Sequence, residues 1–485
     1  MPMKYTDILG KVDNYISEHK GKIPDMTKYR YYSKNQVGRY HKERIIKNLR
    51  LQKEINKILG EDGHLLSYGS DGNSYKDKRT ILDILVEDTL PKSAIETLKK
   101  YSVGEKPKIV VNEEAREWLK EFEIREDVHN KLKKLVHDEL VVGDSFFKVE
   151  GYNNLAKVII LKKENTIIVP DSWNNSEAGL YIYVEEREDE LGNKYSYVEI
   201  FQPDGKVHVV DNKNNKNFTK INEQKTNGDA DTGLGEFNIH HIKGIYEDET
   251  SLYSNSIFEG LTSNFIELTT RLTSNSFVFN KYLNPKMVGA SDFSEIDTKT
   301  GEKVVKDREF YFDDDPLKVN ALRYITPPVE HVDVTFPHME RMLKNAYSQL
   351  GVNEISLGLN QDGGIVSGEA FKKAITPTLN TCRDIANNLY VPLMKLYKQA
   401  YKIETGKDLE IEIEFQDGIS LSEKEVIENE RALVDAKLIS RTTILKNRGI
   451  VDPMKELKLI AEEQRILADV FEDTPLDIPS GKVDE

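Results

Sequence analysis

The sequence predicts an α+β protein built of several modules, and three observations carry that prediction. Two stretches repeat apolar residues at alternating steps of three and four. A block from 142 to 211 is written instead in short β-rich runs separated by turn residues. A glycine-rich segment at 351–368 then leads into a long helical stretch that contains prolines. In the first amphipathic stretch Phe258, Leu261, Phe265, Leu268 and Leu272 share one helix face; in the second, Phe336, Met339, Leu343, Ala346 and Leu350 do. Narrow stripes of this kind suit helices that pack side by side with neighbours and leave their other face in water, which favours a ring over a solitary globule.

Taken in order, residues 4 to about 60 read as helix anchored by Ile45, Ile46, Leu49, Leu51, Ile55 and Ile58 and stopped at Gly60. A polar, glycine-rich loop spans 61–75, a second helix about 79–101, and a third runs from Glu113 to Leu140 with Trp118, Leu119, Phe122, Leu132, Leu135 and Val136. The period then changes to two. Strands are expected at 145–149, 158–161, 180–184 and 197–201, with turn signals at Gly192-Asn193 and Asp204-Gly205. The second signal predicts a hairpin into 206–210, because Asp-Gly accepts the positive φ of a tight turn. Residues 211–235, rich in Asn, Lys, Thr and Gly, read as a surface excursion.

Between the two amphipathic helices, a charged module at 281–329 holds short strands at 287–290, 309–312 and 321–325, with a turn at Thr300-Gly301. Pro327-Pro328 forces an extended break after it. The segment 351–368, with Gly358, Gly363 and Gly364, is too glycine-rich to hold a rigid shape alone. A helix from about 369 to 403 is expected to bend at Pro377 and Pro392, and 409–415 reads as a strand returning to the β-rich part. Three short capped helices close the chain: a capping box at Ser422 and Glu425, a cap at Ser440 for a helix ending at Gly449, and Asp452-Pro453 opening a helix to about Ala468. The acidic, proline-containing end, 472–485, reads as disordered.

The totals agree with a modular chain. At 485 residues about three domains are expected; 31% of residues are charged, and the formal net charge is −15. No run approaches the roughly 18 apolar residues of a membrane span, and the first residues are too polar for a signal peptide, so a cytoplasmic site of synthesis is expected. The single Cys382 falls in an apolar helical run, where it reads as a small core residue. Charge of this sign argues against gripping nucleic acid through a basic surface, since that mode needs clustered Lys and Arg.

Candidate chemistry is sparse. The stretch from Gly363 to Ala370 has the glycine spacing of a phosphate-cradling loop, but Glu369 and Ala370 stand where such a loop needs Lys and then Ser or Thr. No cofactor is expected. Asp313, Asp314 and Asp315 could gather a magnesium ion for a metal-dependent nucleic-acid enzyme. Consecutive residues on a strand point to opposite faces, however, so a solvated turn is the simpler reading. His331 and His338, near Asp333 and Glu340, lack zinc spacing, as does His240-His241.

The segment 353–357 (Asn-Glu-Ile-Ser-Leu), the entry Ser367-Gly368-Glu369-Ala370 into a long helix, and the ending 438–443 followed by Asp452-Pro453 and Glu462-Glu463 resemble the phrases of phage portal proteins. The likeness is to those of long-tailed phages of Gram-positive hosts, over most of the chain and sharpest from about 240 to 465. The resemblance implies a phage portal fold: a mixed wing (1–250), stem helices (251–280 and 330–352), a small α/β clip (281–329), a tunnel loop (353–367), a long kinked helix with a returning wing strand (368–420), a helical crown (421–470) and an acidic tail (471–485). It implies a non-enzymatic ring, of twelve copies, at one capsid vertex of the virion. The ring would be assembled in the host cytoplasm and would pass double-stranded DNA inward during packaging and outward on ejection. Implied partners are the terminase large subunit, the head-completion adaptor, and the scaffolding and major capsid proteins. Asn360, Gln361, Asp362, Gly363 and Gly364 would be the DNA-facing tunnel loop, and Lys281, Lys286, Arg341 and Lys344 candidate basic circles in the channel. Asp313, Asp314 and Asp315 would be a clip surface for a partner.

Overall fold

The computed structural model describes residues 12–21, 23–48, 64–68, 74–80, 85–188, 191–212, 228–247, 251–283, 287–289, 295–296, 303–304, 310–312, 323–324, 330–359, 368–416, 423–448, 450 and 452–472. The chain divides into two compact units. One comprises Met1–Asp362 with Lys373–Gly418, the other Gly363–Lys372 with Ile419–Glu485.

The core of the first unit is a two-sheet sandwich. Strands Thr166–Pro170, Ala178–Glu188, Lys194–Phe201, Lys206–Asn212 and Gly228–Asp231 form an antiparallel sheet in which each strand pairs with its chain neighbour. The Asp204-Gly205 hairpin is present, with Gly205 at φ +81°. Both faces of this sheet are covered, which explains the near-continuous apolar run Leu180-Tyr181-Ile182-Tyr183-Val184. Ile167, Val169, Leu180, Ile182, Val198 and Ile200 pack on one side with Ile16, from the helix Val12–Lys20. Ile168, Tyr181, Tyr183 and Phe201 pack on the other with Phe146, Leu161 and Ile239. Those last three belong to a three-stranded sheet of Ile239–Lys243, Asp144–Tyr152 and Leu155–Leu161. Each such side chain, fully buried, contributes about 1.5–3 kcal/mol. Between the sheets Lys148 donates to both carboxylate oxygens of Glu199 (2.9 and 3.0 Å), and Tyr197 donates to the same carboxylate (2.7 Å), so the buried charges are paired.

Behind the smaller sheet lie the helix Val128–Val142 and the long helix Thr376–Thr405, which also packs on the helix Leu90–Val103. Leu379, Cys382, Ile385, Ala386, Leu389, Leu393, Leu396 and Ala400 form its buried stripe at steps of three and four. Gly406 in the left-handed region ends the helix.

Several expectations need correction. Among the described residues, the N-terminal helical reading resolves into the short helices Val12–Lys20, Ile23–Tyr32, Val37–Tyr40 and Lys42–Asn48. Ile45 is buried, and Leu49, Leu51, Ile55, Ile58 and Gly60 lie outside the described residues. The expected loop at 61–75 contains the strand His64–Tyr68, paired with Ser74–Thr80, so the second helix starts later, at Leu90, with Pro91 in its first turn. The third helix breaks at Asp127 (φ +49°), whose carboxylate accepts from the Asn130 amide (2.9–3.0 Å). Pro377 does not bend the long helix. It occupies the first turn, where its missing N–H costs nothing, after a separate short helix Gly368–Ala374; Pro392 alone lies inside. The strand Ile411–Glu414 pairs with Lys108–Val111, not with either sheet of the sandwich. The surface excursion at 211–235 includes the fifth strand, Gly228–Asp231, while 213–227 lie outside the described residues.

Between the two amphipathic helices, Met287–Gly289 pairs parallel with Phe310–Phe312 and antiparallel with Arg323–Tyr324, and Glu295–Ile296 pairs with Lys303–Val304. Thr300-Gly301 and Pro327-Pro328 lie outside the described residues.

The second unit carries the helices Glu423–Asp435, Arg441–Asn447 and Pro453–Glu472. Ser440 Oγ accepts from the Thr443 N–H (3.2 Å) and Asp452 Oδ1 from the Lys455 N–H (3.1 Å), which are the expected caps. The last helix runs to Glu472, past the expected end at Ala468, and residues 473–485 are outside the described set. Ser422 is outside it as well.

Candidate channel wall and its anchor

The two amphipathic stretches form the helices Thr262–Leu283 and Glu330–Gln349, which pack together through Leu268, Leu272, Met339, Met342 and Leu343. Asn275 Nδ2 lies 3.5 Å from Met339 Sδ across the seam. The stripes differ in detail from the sequence reading. Phe258 and Leu261, both buried, sit in the turn before the first helix, and Phe336 is exposed on the second, where Met342 and Tyr347 are buried instead.

The outward faces carry charges in local pairs. Arg271 donates to Glu267 (2.7 Å) and Lys344 to Glu340 (2.7 Å), each one helical turn away. The hydrogen bond and charge of Glu340 raise the Lys344 ammonium above its usual value, and Lys344 lowers the Glu340 carboxyl. Of the four basic candidates, Arg341 and Lys344 are exposed on the second helix, and Lys344 brings its own counter-charge. Lys281 falls at the end of the first helix, its side chain outside the described residues, as is all of Lys286.

The root of the first helix is clamped by aromatic rings. Tyr29 and Tyr32 of the helix Ile23–Tyr32 meet Phe258 (centroids 6.1 and 5.8 Å), Tyr32 meets Phe265 edge-on (5.5 Å), and Tyr29 donates to the Glu259 carboxylate. Further along, Thr273 Oγ1 accepts from the Val86 N–H (3.1 Å). The first helical segments of the chain are therefore part of the support for this helix pair.

Just before that root, the strand Ser254–Asn255 crosses the junction of helix Val128–Val142 with strand Asp144–Tyr152. The backbones touch. A Cβ on Gly143 (φ +90°) would lie 2.2 Å from the Ser254 carbonyl oxygen, and one on Gly244 would lie 2.2 Å from the Gly143 carbonyl oxygen, so only glycine fits at either place. Fully buried Asp144 binds the crossing together. Its carboxylate accepts from the Ser254 N–H (3.0 Å), His241 Nε2 (2.7 Å) and Lys163 Nζ (2.6 Å), while Lys163 also donates to the carbonyls of Val142 (2.6 Å) and Ser254 (3.1 Å). Ser256 Oγ donates to the Val141 carbonyl (2.6 Å), and the Ile257 N–H to that of Leu140 (3.2 Å). Burial pushes the Asp144 carboxyl up, but His241 and Lys163 outweigh it and hold the carboxyl below its usual range. One turn earlier, Glu139 is buried. Burial, then the Asp144 charge, drives its carboxyl well above the usual range.

Of the glycine-rich segment, 351–359 and Gly368 are among the described residues. The Asn353 side chain accepts from the Ser356 N–H (2.8 Å) and donates to the Ala374 carbonyl (2.7 Å), and Thr378 donates to Ser356 Oγ (3.2 Å). These bonds tie 353–356 to the start of the long helix, so glycine content does not soften this part. Asn360, Gln361, Asp362, Gly363 and Gly364 lie outside the described residues, as do Asp313, Asp314 and Asp315.

His240 and His241 serve structure. Burial lowers His240 to about 4, and its Nε2 meets Gln399 Oε1 (2.8 Å), while His241 sits on Asp144. His338 is exposed, and the His331 side chain is outside the described residues. Cys382 is buried, its Sγ 3.6 Å from the Leu98 carbonyl. Among the described residues no group of three or more His, Cys, Asp or Glu could hold a metal, and no helix is long and apolar enough to cross a membrane.

The sandwich is thus tied, through the crossing at Gly143 and Asp144, to the segment that leads into the helix pair. The sequence matches the family described as "Phage portal protein, SPP1 Gp6-like" over residues 12–467. The chain belongs to that family: it is a portal protein, a structural component of the capsid in the virion, and the enzyme considered from Asp313 to Asp315 finds no support. Comparison with curated proteins finds no match. Solved structures similar to the chain come from a gene transfer agent (GTA) particle. The native virion gives 9% identity, 75% of this chain and 90% of that one, with a TM-score of 0.41. The neck of the empty particle gives 10%, 75% and 90%, with 0.42, and the neck of the native particle computed with C12 symmetry gives 9%, 75% and 90%, with 0.39.

Proposed function

We propose that twelve copies of this chain close into a ring at one capsid vertex and form the conduit through which double-stranded DNA enters during packaging and leaves on ejection. The observation that carries this reading is the family match along nearly the whole chain. The helix pair supports it: two amphipathic helices, braced at their root and bearing charges already paired on their outward faces, make a wall that offers DNA little to grip. Twelve copies at −15 each carry a formal −180, which repels the duplex as well. In this reading 251–280 and 330–352 are the stem, 281–329 the clip, and 353–367 the tunnel loop, with Asn360 to Gly364 towards the DNA. Lys281, Lys286, Arg341 and Lys344 form circles that centre it. The clip, with Asp313 to Asp315, receives the terminase large subunit and later the head-completion adaptor, while scaffolding and major capsid proteins meet the ring in the host cytoplasm.

Negative-stain images and mass photometry of the purified chain test this. Rings of about twelve subunits are expected, and a monomer that persists across salt and concentration overturns the reading.

A further inference from the structure

Three buried side chains at the crossing are arranged for a reaction as well as for support. The side chains of Lys163 and Asp144 are 5% and 0% exposed, and Lys163 Nζ lies 2.6 Å from Asp144 Oδ2. That contact places the nitrogen about 3–3.5 Å from the carboxyl carbon, the separation of a near-attack geometry. The carbonyls of Val142 and Ser254 hold Nζ in place, and the Tyr253 ring lies 5.4 Å from it. Asp144 Oδ1 accepts from His241 Nε2 (2.7 Å) and from the Ser254 N–H (3.1 Å), which also reaches Oδ2; donors so placed stabilise an oxyanion. The third group is Glu139, one turn earlier. Both its carboxyl oxygens are buried with no hydrogen-bond partner among the described residues, and the charge it feels is that of Asp144. A buried carboxyl that bonds to nothing gives no support and costs free energy to keep. It does hold its proton well above the ordinary carboxyl range, as a group that passes a proton on must.

We propose that Lys163 and Asp144 close an isopeptide bond inside the folded chain, with Glu139 as the proton carrier. A proton first moves from Lys163 Nζ to Asp144 Oδ2 along the hydrogen bond between them. The freed amine attacks the carboxyl carbon, and Oδ1 takes the negative charge against Ser254 and His241. Glu139 then gives its proton to the Oδ2 hydroxyl and takes one from the nitrogen, the bond from the carbon to Oδ2 breaks, and water leaves. Ammonium and carboxylate become one amide and one water, Glu139 ends as it began, and no other reactant is needed. The step removes two buried charges, which favours the amide here although bulk water would not. The open cavity beside Lys163, lined also by His19, Tyr29 and Ser256, gives the water a way out. The other buried pair, Lys148 with Glu199, lacks such a third group, since the Glu150 side chain beside it is 39% exposed. Until the bond closes, Lys163 and Asp144 are the ion pair described above. Once closed, it staples the start of strand Asp144–Tyr152 to the turn at 163–165, where the chain leads into the helix pair.

The intact mass of the unmodified full-length protein tests this. After the folded protein has been kept near neutral pH for days, a mass about 18 Da below that of the sequence is expected, one water lost. Tryptic digestion should then give one branched peptide that joins Asp144 to Lys163, with no cleavage after Lys163. Lys163→Arg keeps the charge pair but has no nucleophilic amine, and should keep the full mass. Asp144→Asn should lose about 17 Da instead, because ammonia leaves in place of water. Glu139→Gln should close the bond about a hundredfold more slowly, and closure at the unmodified rate overturns the part given to Glu139. Full mass retained by the unmodified protein overturns the proposal however the variants behave. So does a water loss that maps to a succinimide at Asp204-Gly205, or to Lys148 with Glu199. None of these outcomes bears on the ring reading, which the micrographs decide separately.

Discussion

The crossing at Gly143 and the outward face of the helix pair both carry charged side chains, yet the same chemistry has opposite consequences in the two places. At the crossing Asp144 and Lys163 are out of water, and each is held by three or more partners drawn from distant parts of the chain. On the helices Lys344 and Glu340 stand in water, one turn apart, and each is the other's hydrogen-bonding partner, with Glu354 adding a further charge near Lys344. The comparison teaches that this protein separates what holds the wall from what the wall presents. Anchor residues cannot change without loss of the fold, and face residues can change freely without it.

The sharpest way to break that contrast is at the crossing itself. Gly143→Ala places a methyl group against the Ser254 carbonyl in a left-handed backbone, and a loss of about 5 kcal/mol or more is expected in denaturant unfolding. A stable variant would mean the two segments can separate. Next, Asp144→Ala leaves Lys163 buried without its counter-charge and should cost about 3–5 kcal/mol. In the helix seam, Leu268→Ala opens a void beside Met339 and Met342 and should cost about 3 kcal/mol by the same measurement.

A smaller effect appears with pH. The depressed carboxyl of Asp144 contributes stability that is present above its unfolded value, about 3.9, and is lost as pH falls through the folded one. Glu139 works in the other direction. Its folded value is raised, so the native state holds a proton that the unfolded state releases above about 4.3, and stability declines as pH rises from there towards the folded value. Glu139→Gln should flatten the fall in melting temperature as pH rises above about 4.3, the unfolded value, and an unchanged slope would show that Glu139 is ionised in the fold. Smallest of all, Lys344→Ala should leave the melting temperature within about 1 °C. A larger drop would place Lys344 in the anchor class and erase the distinction.

Much of the architecture was legible in the residues. The strands from 144 to 212, the Asp204-Gly205 hairpin and the caps at Ser440 and Asp452 are local matters of side-chain period, turn chemistry and hydrogen bonds within four residues. Of the candidate site, the seam residues Leu268, Leu272, Met339 and Leu343 were legible for the same reason. Phe336 was misplaced because apolar spacing does not say which part of a long stripe meets a partner. Pro377 was misread as a bend because helix-starting and helix-kinking proline look alike until the helix boundary is known. The anchor was not seen at all. Gly143, Asp144, Lys163, His241 and Ser254 form no motif, and the only trace was a buried-strand context around Asp144 and Lys163 in which a charge needs a partner.

By itself, then, the sequence determined the kinds of element, most of their order and the portal family, since each is written in spacings of a few residues or in the succession of such segments. Only the tertiary structure decided that strand 411–414 pairs with 108–111, that the chain turns left-handed at Asp127, and that one carboxylate binds groups from positions 163, 241 and 254. Those choices depend on segments about a hundred or more residues apart in most cases. Their meeting is set by which buried surfaces and buried charges can be satisfied together, a condition on the folded whole that no local pattern records.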